Sequence, residues 1–187
     1  MIDQTFFWDN GNKQSYEELY ENGNTRKIIF FDETGATTKT QEYDENGTIT
    51  HMESFYPNGD RNVVEYHANG NQSKSTTFDR NGNITSISEF DENGAETKAT
   101  YYNESGIVVE IFEYFEGERW TLTCFRETGI IQKIREYYHG NAMAKSSVFD
   151  ENGKIEYTDE YSVDGTHIAN TQYYKSGTVK SFIEFYR

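Results

Sequence analysis

The side chains that could do chemistry in this sequence are carboxylates. Asp and Glu number 32 against 17 Lys and Arg, for a formal net charge of −15. Paired carboxylates serve general acid–base catalysis and, where enough oxygens converge, calcium binding. Here the pairs Asp44-Glu45, Asp91-Glu92 and Asp150-Glu151 are one short string written three times, each followed by Asn-Gly. They read as turn residues, with Asp accepting backbone N–H bonds and Glu left in solvent. A single such turn offers too few oxygens for calcium. The four histidines (His51, His67, His139, His167) have no metal-ligand spacing among themselves or with Cys124, the one cysteine. There is no serine elbow, phosphate loop or Glu-containing zinc motif. The expectation is a protein with no catalytic residue, no metal and no cofactor.

A second acidic feature is ordered rather than abundant. Glu stands immediately before an aromatic residue or Leu at Glu18, Glu42, Glu65, Glu89, Glu113, Glu136, Glu160 and Glu184, in steps of 23 or 24. On alternate strands of an antiparallel sheet such carboxylates lie roughly 9.6 Å apart. They cannot share a metal, but they can present an acidic edge to a basic partner. The residues expected opposite them across the turn are mostly neutral (Thr50, Ser73, Thr97), with Arg26 the exception, so the row is expected to lack internal neutralisation. The competing reading is that charges keep one face of a flat sheet soluble and fix its register.

The elements that must carry this row are set by glycine. All 15 glycines, Gly11 through Gly177, follow one period of 11 to 13 residues, and in 12 cases an aromatic stands four positions earlier. Gly takes positive φ without steric cost, and Asn-Gly between strand-forming runs is a hairpin signal. Thr34-Gly35, Ser105-Gly106, Asp164-Gly165 and Ser176-Gly177 keep Gly without Asn. That favours a three-residue loop, a type I turn closed by left-handed Gly, over a two-residue loop. The intervening segments are rich in Thr, Ile, Val, Tyr and Phe and too short for helices. The sequence therefore predicts an all-β chain of about 16 strands. Its tandem hairpin repeats of about 24 residues form a long single-layer antiparallel meander, one repeat domain over 1–187.

With three-residue loops, positions two, four, six and eight after each Gly should share a face, for example Ile49, His51, Glu53 and Phe55. The other face should carry Ile28, Met52, Val64, Ile87, Ile111, Leu122 and Ile134. Neither face is fully apolar, which argues for an open sheet of roughly 75 Å rather than a barrel. The charge is concentrated in the turns: the three positions before each Gly hold 15 of the 32 acids. The glycine spacing is uneven over 106–153, where Tyr114, Phe115, Trp120, Tyr137, Tyr138 and His139 stand out of register with the rest. Exposed aromatics are common interface anchors. The candidate partner-binding residues are therefore Glu89, Glu113, Tyr114, Phe115, Trp120, Glu136, Tyr137 and Tyr138.

The tandem aromatic-x-x-Asn-Gly unit resembles the MORN-type repeats, especially their bacterial variant, over residues 6–186. That resemblance implies an antitoxin component. Phe78-Asp79-Arg80-Asn81-Gly82-Asn83-Ile84-Thr85 is also similar to the Tyr-Asp repeats of large bacterial toxin shells. Acidity argues against direct nucleic-acid binding, since phosphates repel it. No apolar run approaches membrane-spanning length, and Met1-Ile2-Asp3-Gln4 lacks a secretory pattern. The expected function is a cytoplasmic, non-enzymatic protein that neutralises a partner protein with a basic surface, such as a toxin or nuclease. The alternative is a structural or adhesive repeat module making protein or carbohydrate contacts.

Overall fold

The computed structural model describes residues 3–185; Met1, Ile2, Tyr186 and Arg187 lie outside the described residues. Among the described residues there is no helix, and sixteen strands stand in the sheet in chain order. Two compact units divide it, one running through Ala95 and the other starting at Glu96. The first holds β1 (Asp3–Phe7), β2 (Lys13–Leu19), β3 (Thr25–Phe31), β4 (Thr37–Tyr43), β5 (Ile49–Phe55), β6 (Arg61–Tyr66), β7 (Gln72–Phe78) and β8 (Ile84–Phe90). The second holds β9 (Glu96–Tyr102), β10 (Val108–Phe115), β11 (Glu118–Phe125), β12 (Ile131–Tyr137), β13 (Met143–Phe149), β14 (Ile155–Tyr161), β15 (His167–Tyr173) and β16 (Val179–Glu184). Within each unit every strand pairs antiparallel with the next.

The turn at Gly47 is typical of the three-residue loops. Gly47 N–H donates to Asp44 O at 3.0 Å and Asp44 N–H donates to Thr48 O at 2.8 Å, with Gly47 at φ 86°. That is a type I turn closed by a left-handed residue. Asp44 Oδ1 accepts from the backbone N–H groups of Asn46 and Thr48 at 2.9 and 2.8 Å. The same bonds hold the carboxyls of Asp32, Asp79, Asp91 and Asp150 below the ordinary aspartate range. The largest cause is the Thr34 side chain for Asp32, the Asn83 side chain for Asp79, and the backbone N–H of Ala95 and Lys154 for Asp91 and Asp150.

Most strands also carry one residue that the preceding strand does not pair. Glu42 faces His51 and Tyr43 faces Ile49, so Thr50 is extra. The same bulge falls three residues after glycine at Thr38 and Thr85. The hydroxyls of Thr38, Thr50 and Thr85 each bond the carbonyl eight residues back, at 3.2–3.3 Å. A bulge inverts the alternation of side chains beyond it. This overturns the expected faces, because His51 pairs with Glu42 while Ile49 pairs with Tyr43, putting Ile49 and His51 on opposite sides. The apolar residues expected on one face are split between two. Ile28, Met52 and Val64 belong to one cross-strand row with Gln41 and Ser75, while Ile87 belongs to another with Thr76, Val63 and Ile29.

Three departures in glycine spacing have three causes. The β5–β6 pair runs without a bulge, which removes one residue between Gly59 and Gly70. The β10–β11 hairpin has a two-residue loop, with Glu116 at φ 51° and Gly117 at φ 78°, the type I′ arrangement. After β12, Asn141 at φ 63° does what Gly does elsewhere: Tyr138 N–H donates to Ala142 O and Asn141 N–H to Tyr138 O. Counted from Asn141, the spacing is regular, and Tyr137 takes the ordinary aromatic position opposite Met143. The expectation that Tyr137 and Tyr138 are out of register is thereby corrected.

Among the described residues no apolar layer covers the sheet. Buried apolar residues among those described are Val64, Ala99, Leu122 and Ala169. On both margins, bonds between successive turns of the same margin supply what a core does not. Trp8 Nε1–H donates to Phe31 O at 3.3 Å, Tyr20 OH to Tyr43 O at 2.7 Å, Arg126 to Phe149 O at 2.7 Å and Tyr138 OH to Tyr161 O at 3.0 Å. Asn22 and Asn24 together clamp Glu45 O at 2.9 and 2.7 Å, and Asn69 and Asn71 clamp Glu92 O at 2.6 and 2.7 Å.

Two outcomes test this account. Gly47→Ala should cost about 1–2 kcal/mol, the left-handed penalty alone. Gly59→Ala should cost distinctly more in the same urea titration, because its Cβ would meet Arg80 Cβ at 2.9 Å whereas nothing lies within 4 Å at Gly47. The second outcome concerns acid. Asp groups held below their ordinary pKa stabilise the fold above about pH 3.9, and that contribution is lost as pH falls through their lower native values. Asn103 already makes the same two turn bonds as a neutral side chain. Replacing Asp32, Asp79, Asp91 and Asp150 together with Asn should therefore shrink the fall of the thermal midpoint between pH 5 and pH 2. An unchanged acid limb would remove these turns from the pH response.

Candidate functional site

The row of glutamates is placed by the bulges. Because one residue is skipped, the side chain opposite a Glu across its turn stands four positions after the left-handed turn residue and not three. Glu18 and Glu42 flank Lys27, Glu42 and Glu65 flank His51, and Glu65 and Glu89 flank Lys74. In the second unit, Lys98 faces Glu113, and Lys145 lies between Glu136 and Glu160. The row alternates Glu with Lys or His, and is not the unneutralised acidic edge expected from the sequence. Lys27 Nζ reaches Glu42 at 3.0 Å and Lys74 Nζ reaches Glu65 at 4.0 Å. The Lys27 ammonium draws the Glu42 carboxyl below the usual glutamate range. Opposite charges across strands contribute about 0.2–1 kcal/mol per pair.

The alternation fails at two places. Thr121 stands between Glu113 and Glu136, and Ala169 between Glu160 and Glu184. Ala169 is buried, 6% exposed. At Thr121 the surface instead opens into a cleft of about 510 Å³ lined by Glu113, Trp120, Thr121, Thr123, Ile134, Glu136, Tyr137, Tyr138 and Ala144. Thr121 Oγ1 bonds Glu113 Oε2 at 2.5 Å. Trp120 is the bulged residue of β11 and is 56% exposed, with its ring 5.9 Å from that of Phe115. From behind, the Arg119 guanidinium packs over Phe112 and Tyr137 at 4.9 and 5.4 Å. Arg119 N–H donates to Asn141 Oδ1 at 3.1 Å, and Glu118 accepts from Gly140 N–H and pairs with His139 at 3.0 Å. These contacts fix the β10–β11 hairpin against the turn after β12.

Five of the eight candidate residues thus meet in one cleft: Glu113, Trp120, Glu136, Tyr137 and Tyr138. Glu89 belongs to β8, opposite Lys74. Tyr114 pairs with Arg119, and burial, followed by the Glu96 carboxylate, raises its phenol pKa. Phe115 sits at the hairpin tip, 61% exposed, against Trp120. The sequence reading missed Thr121, Thr123, Ile134 and Ala144. Cys124 is half-buried, and burial, then Glu110, pushes its thiol pKa up. Among the described residues, no three His, Cys, Asp or Glu side chains gather in metal-binding range. No helix among them is long and apolar enough to cross a membrane.

With this geometry in hand, comparisons with known proteins give a family signal for part of the chain. Residues 144–162 match the MORN repeat variant. Over these residues, β13 through β14, the chain is similar to a MORN-type repeat. Residues 55–101 match a family described as a protein of unknown function (DUF2963), a segment that runs from the end of β5 through most of β9. No curated protein matches the chain. Among solved structures, a mutant of S. aureus TarM in complex with fondaparinux, alpha-GlcNAc-glycerol and UDP is 11% identical, with a TM-score of 0.34, covering 64% of this chain and 21% of that one. The TcdB2-TccC3-Cdc42 structure is 10% identical, with a TM-score of 0.19, covering 91% of this chain and 12% of that one. At these scores neither structure is a guide to activity, and this chain spans about a fifth or less of each.

The cleft residues divide into structural and surface groups, and stability measurements should separate them. Trp120→Ala should move the unfolding free energy by no more than about 0.5 kcal/mol, as exposed side chains do. Leu122→Ala, two residues along the strand and 5% exposed, should cost about 2–5 kcal/mol. Equal losses in a denaturant titration would make Trp120 a packing residue and not a surface anchor.

Proposed function

We propose that this MORN-like chain is a non-enzymatic binding protein. It captures a partner protein with a basic surface on the β10–β12 cleft and neutralises it in the cytoplasm, as an antitoxin, an immunity protein or an inhibitor of an enzyme acting on nucleic acid does. The observation that carries this reading is the cleft itself, where exposed Trp120 stands beside two ladder carboxylates with no lysine between them. Aromatic anchors ringed by polar groups are the usual energetic centre of protein interfaces. The net charge of −15 adds long-range attraction for a basic partner and speeds encounter.

A structural module joined through its outer strands is the second reading. It is favoured by the exposed Phe6 and Phe7 of β1 and Val179, Phe182 and Ile183 of β16. Sedimentation at rising concentration separates the two, since only the second requires self-association.

The test of the first reading is capture from the native host, followed by kinetics with the purified partner. Trp120→Ala should speed dissociation, because buried anchors act on the off-rate. Glu113→Gln with Glu136→Gln should slow association and reduce its salt dependence. Unchanged kinetics for both variants would move the interface away from this cleft.

A further inference from the structure

The two units contain equivalent clefts, and the difference between them identifies a ligand. In the first unit, a cleft of about 460 Å³ is lined by Glu18, Arg26, Lys27, Glu42, Tyr43 and Asp44, among others. Its three central strands, β2–β4, place Lys27 between Glu18 and Glu42. In the second unit, β10–β12 place Thr121 between Glu113 and Glu136 in the same register. The correspondence extends outward: Arg26 and Trp120 are the bulged residues beside Lys27 and Thr121, and Tyr43 and Tyr137 follow the second glutamate.

The first cleft therefore displays its own cations. Lys27 Nζ lies 3.0 Å from Glu42, and Arg26 lies 4.0 Å from Glu18. The second cleft keeps both glutamates and the tyrosine but has exchanged Lys and Arg for Thr and Trp. Among the described residues, the Glu136 carboxylate makes no hydrogen bond or ion pair. The exchange is chemically directed. Thr shortens the side chain between the carboxylates, and Trp supplies the aromatic face that attracts cations best. The other gap in the ladder, at Ala169, is buried and presents no such opening.

We propose that the β10–β12 cleft receives one Lys or Arg side chain of a partner protein, seated between Glu113 and Glu136 beside Trp120, where Lys27 stands in the first unit. This rests on the protein-binding reading of the cleft and names what the partner must insert. A partner lysine or arginine completes the alternation of the ladder, so the scaffold is arranged for a cation before binding and needs no rearrangement to accept it.

The test uses the full chain labelled with nitrogen-15 and three probes: N-acetyl-lysine methylamide, its arginine counterpart and the uncharged norleucine counterpart. The cationic probes should shift the Trp120 indole N–H and the Thr121 and Glu136 amides saturably, with a Kd on the order of 1 mM as expected for so small a ligand. Raising salt from 0.05 to 0.5 M should weaken binding several-fold, and norleucine should give no saturable shift. Thr121→Lys should abolish the shifts and raise the thermal midpoint by about 1–4 °C, as two new cross-strand ion pairs would. Thr121→Val should leave cation binding in place, and Glu136→Gln, at a surface position, should lose it with the spectrum otherwise intact.

Equal binding of norleucine, probe shifts spread along every acidic turn, or full binding by Thr121→Lys would each overturn the cation slot. With the natural partner in hand, the two readings fail differently. Capture lost in Trp120→Ala but kept in Thr121→Lys leaves the cleft as an interface without a cation slot, while capture kept in both removes the cleft altogether.

Discussion

One unpaired residue near the start of nearly every strand governs this structure. Each bulge follows a left-handed turn residue by three positions, and it decides which side chains face each other farther along the strand. With the bulge, Glu42 meets Lys27 and His51. Without it, the same glutamate would meet Arg26 and Thr50, and the ladder would dissolve. Bulges also add twist, which suits a sheet that has no second layer to pack against.

The lack of a covering layer moves the energetic weight to the margins. With few apolar residues buried, pairing within the sheet and bonds between neighbouring turns must offset the conformational entropy of ordering the chain. The turn side chains serve this in two ways. Asp and Asn cap their own loop, as Asp44 and Asn103 do. Trp8, Tyr20, Arg126 and Tyr138 reach the next loop on their side. Each turn is thereby coupled to a neighbour about 24 residues away, as in other repeat arrays where stability is a sum of local and nearest-neighbour terms.

The strands, the meander order and most of the three-residue turns were legible in the sequence because glycine closes nearly all of them, the turn after β12 being closed by Asn141 and the β10–β11 loop having only two residues. The bulges were not, since Thr38, Thr50 and Thr85 are as suited to a paired position as to an unpaired one. That single ambiguity shifted the expected partners of the glutamates by one place and hid the lysines. The signal was nonetheless present: Lys27, Lys74 and Lys98 each follow a glycine by four residues. Asn141 was missed for a related reason, because adjacent Gly140 took its place in the count. Trp120 stood out in the sequence because the shortened loop at Gly117 displaces its neighbourhood from the common pattern. Thr121 was invisible because its meaning lies in what its counterparts are elsewhere in the row.

The ladder also constrains how such a chain can change length over evolutionary time. One strand added or lost moves every later turn to the opposite margin and carries the following glutamates with it. Two strands restore both margin and face. Growth and loss are therefore tolerated in whole hairpins, and a lineage of these proteins can be expected to vary in steps of about 24 residues while keeping its ladder continuous.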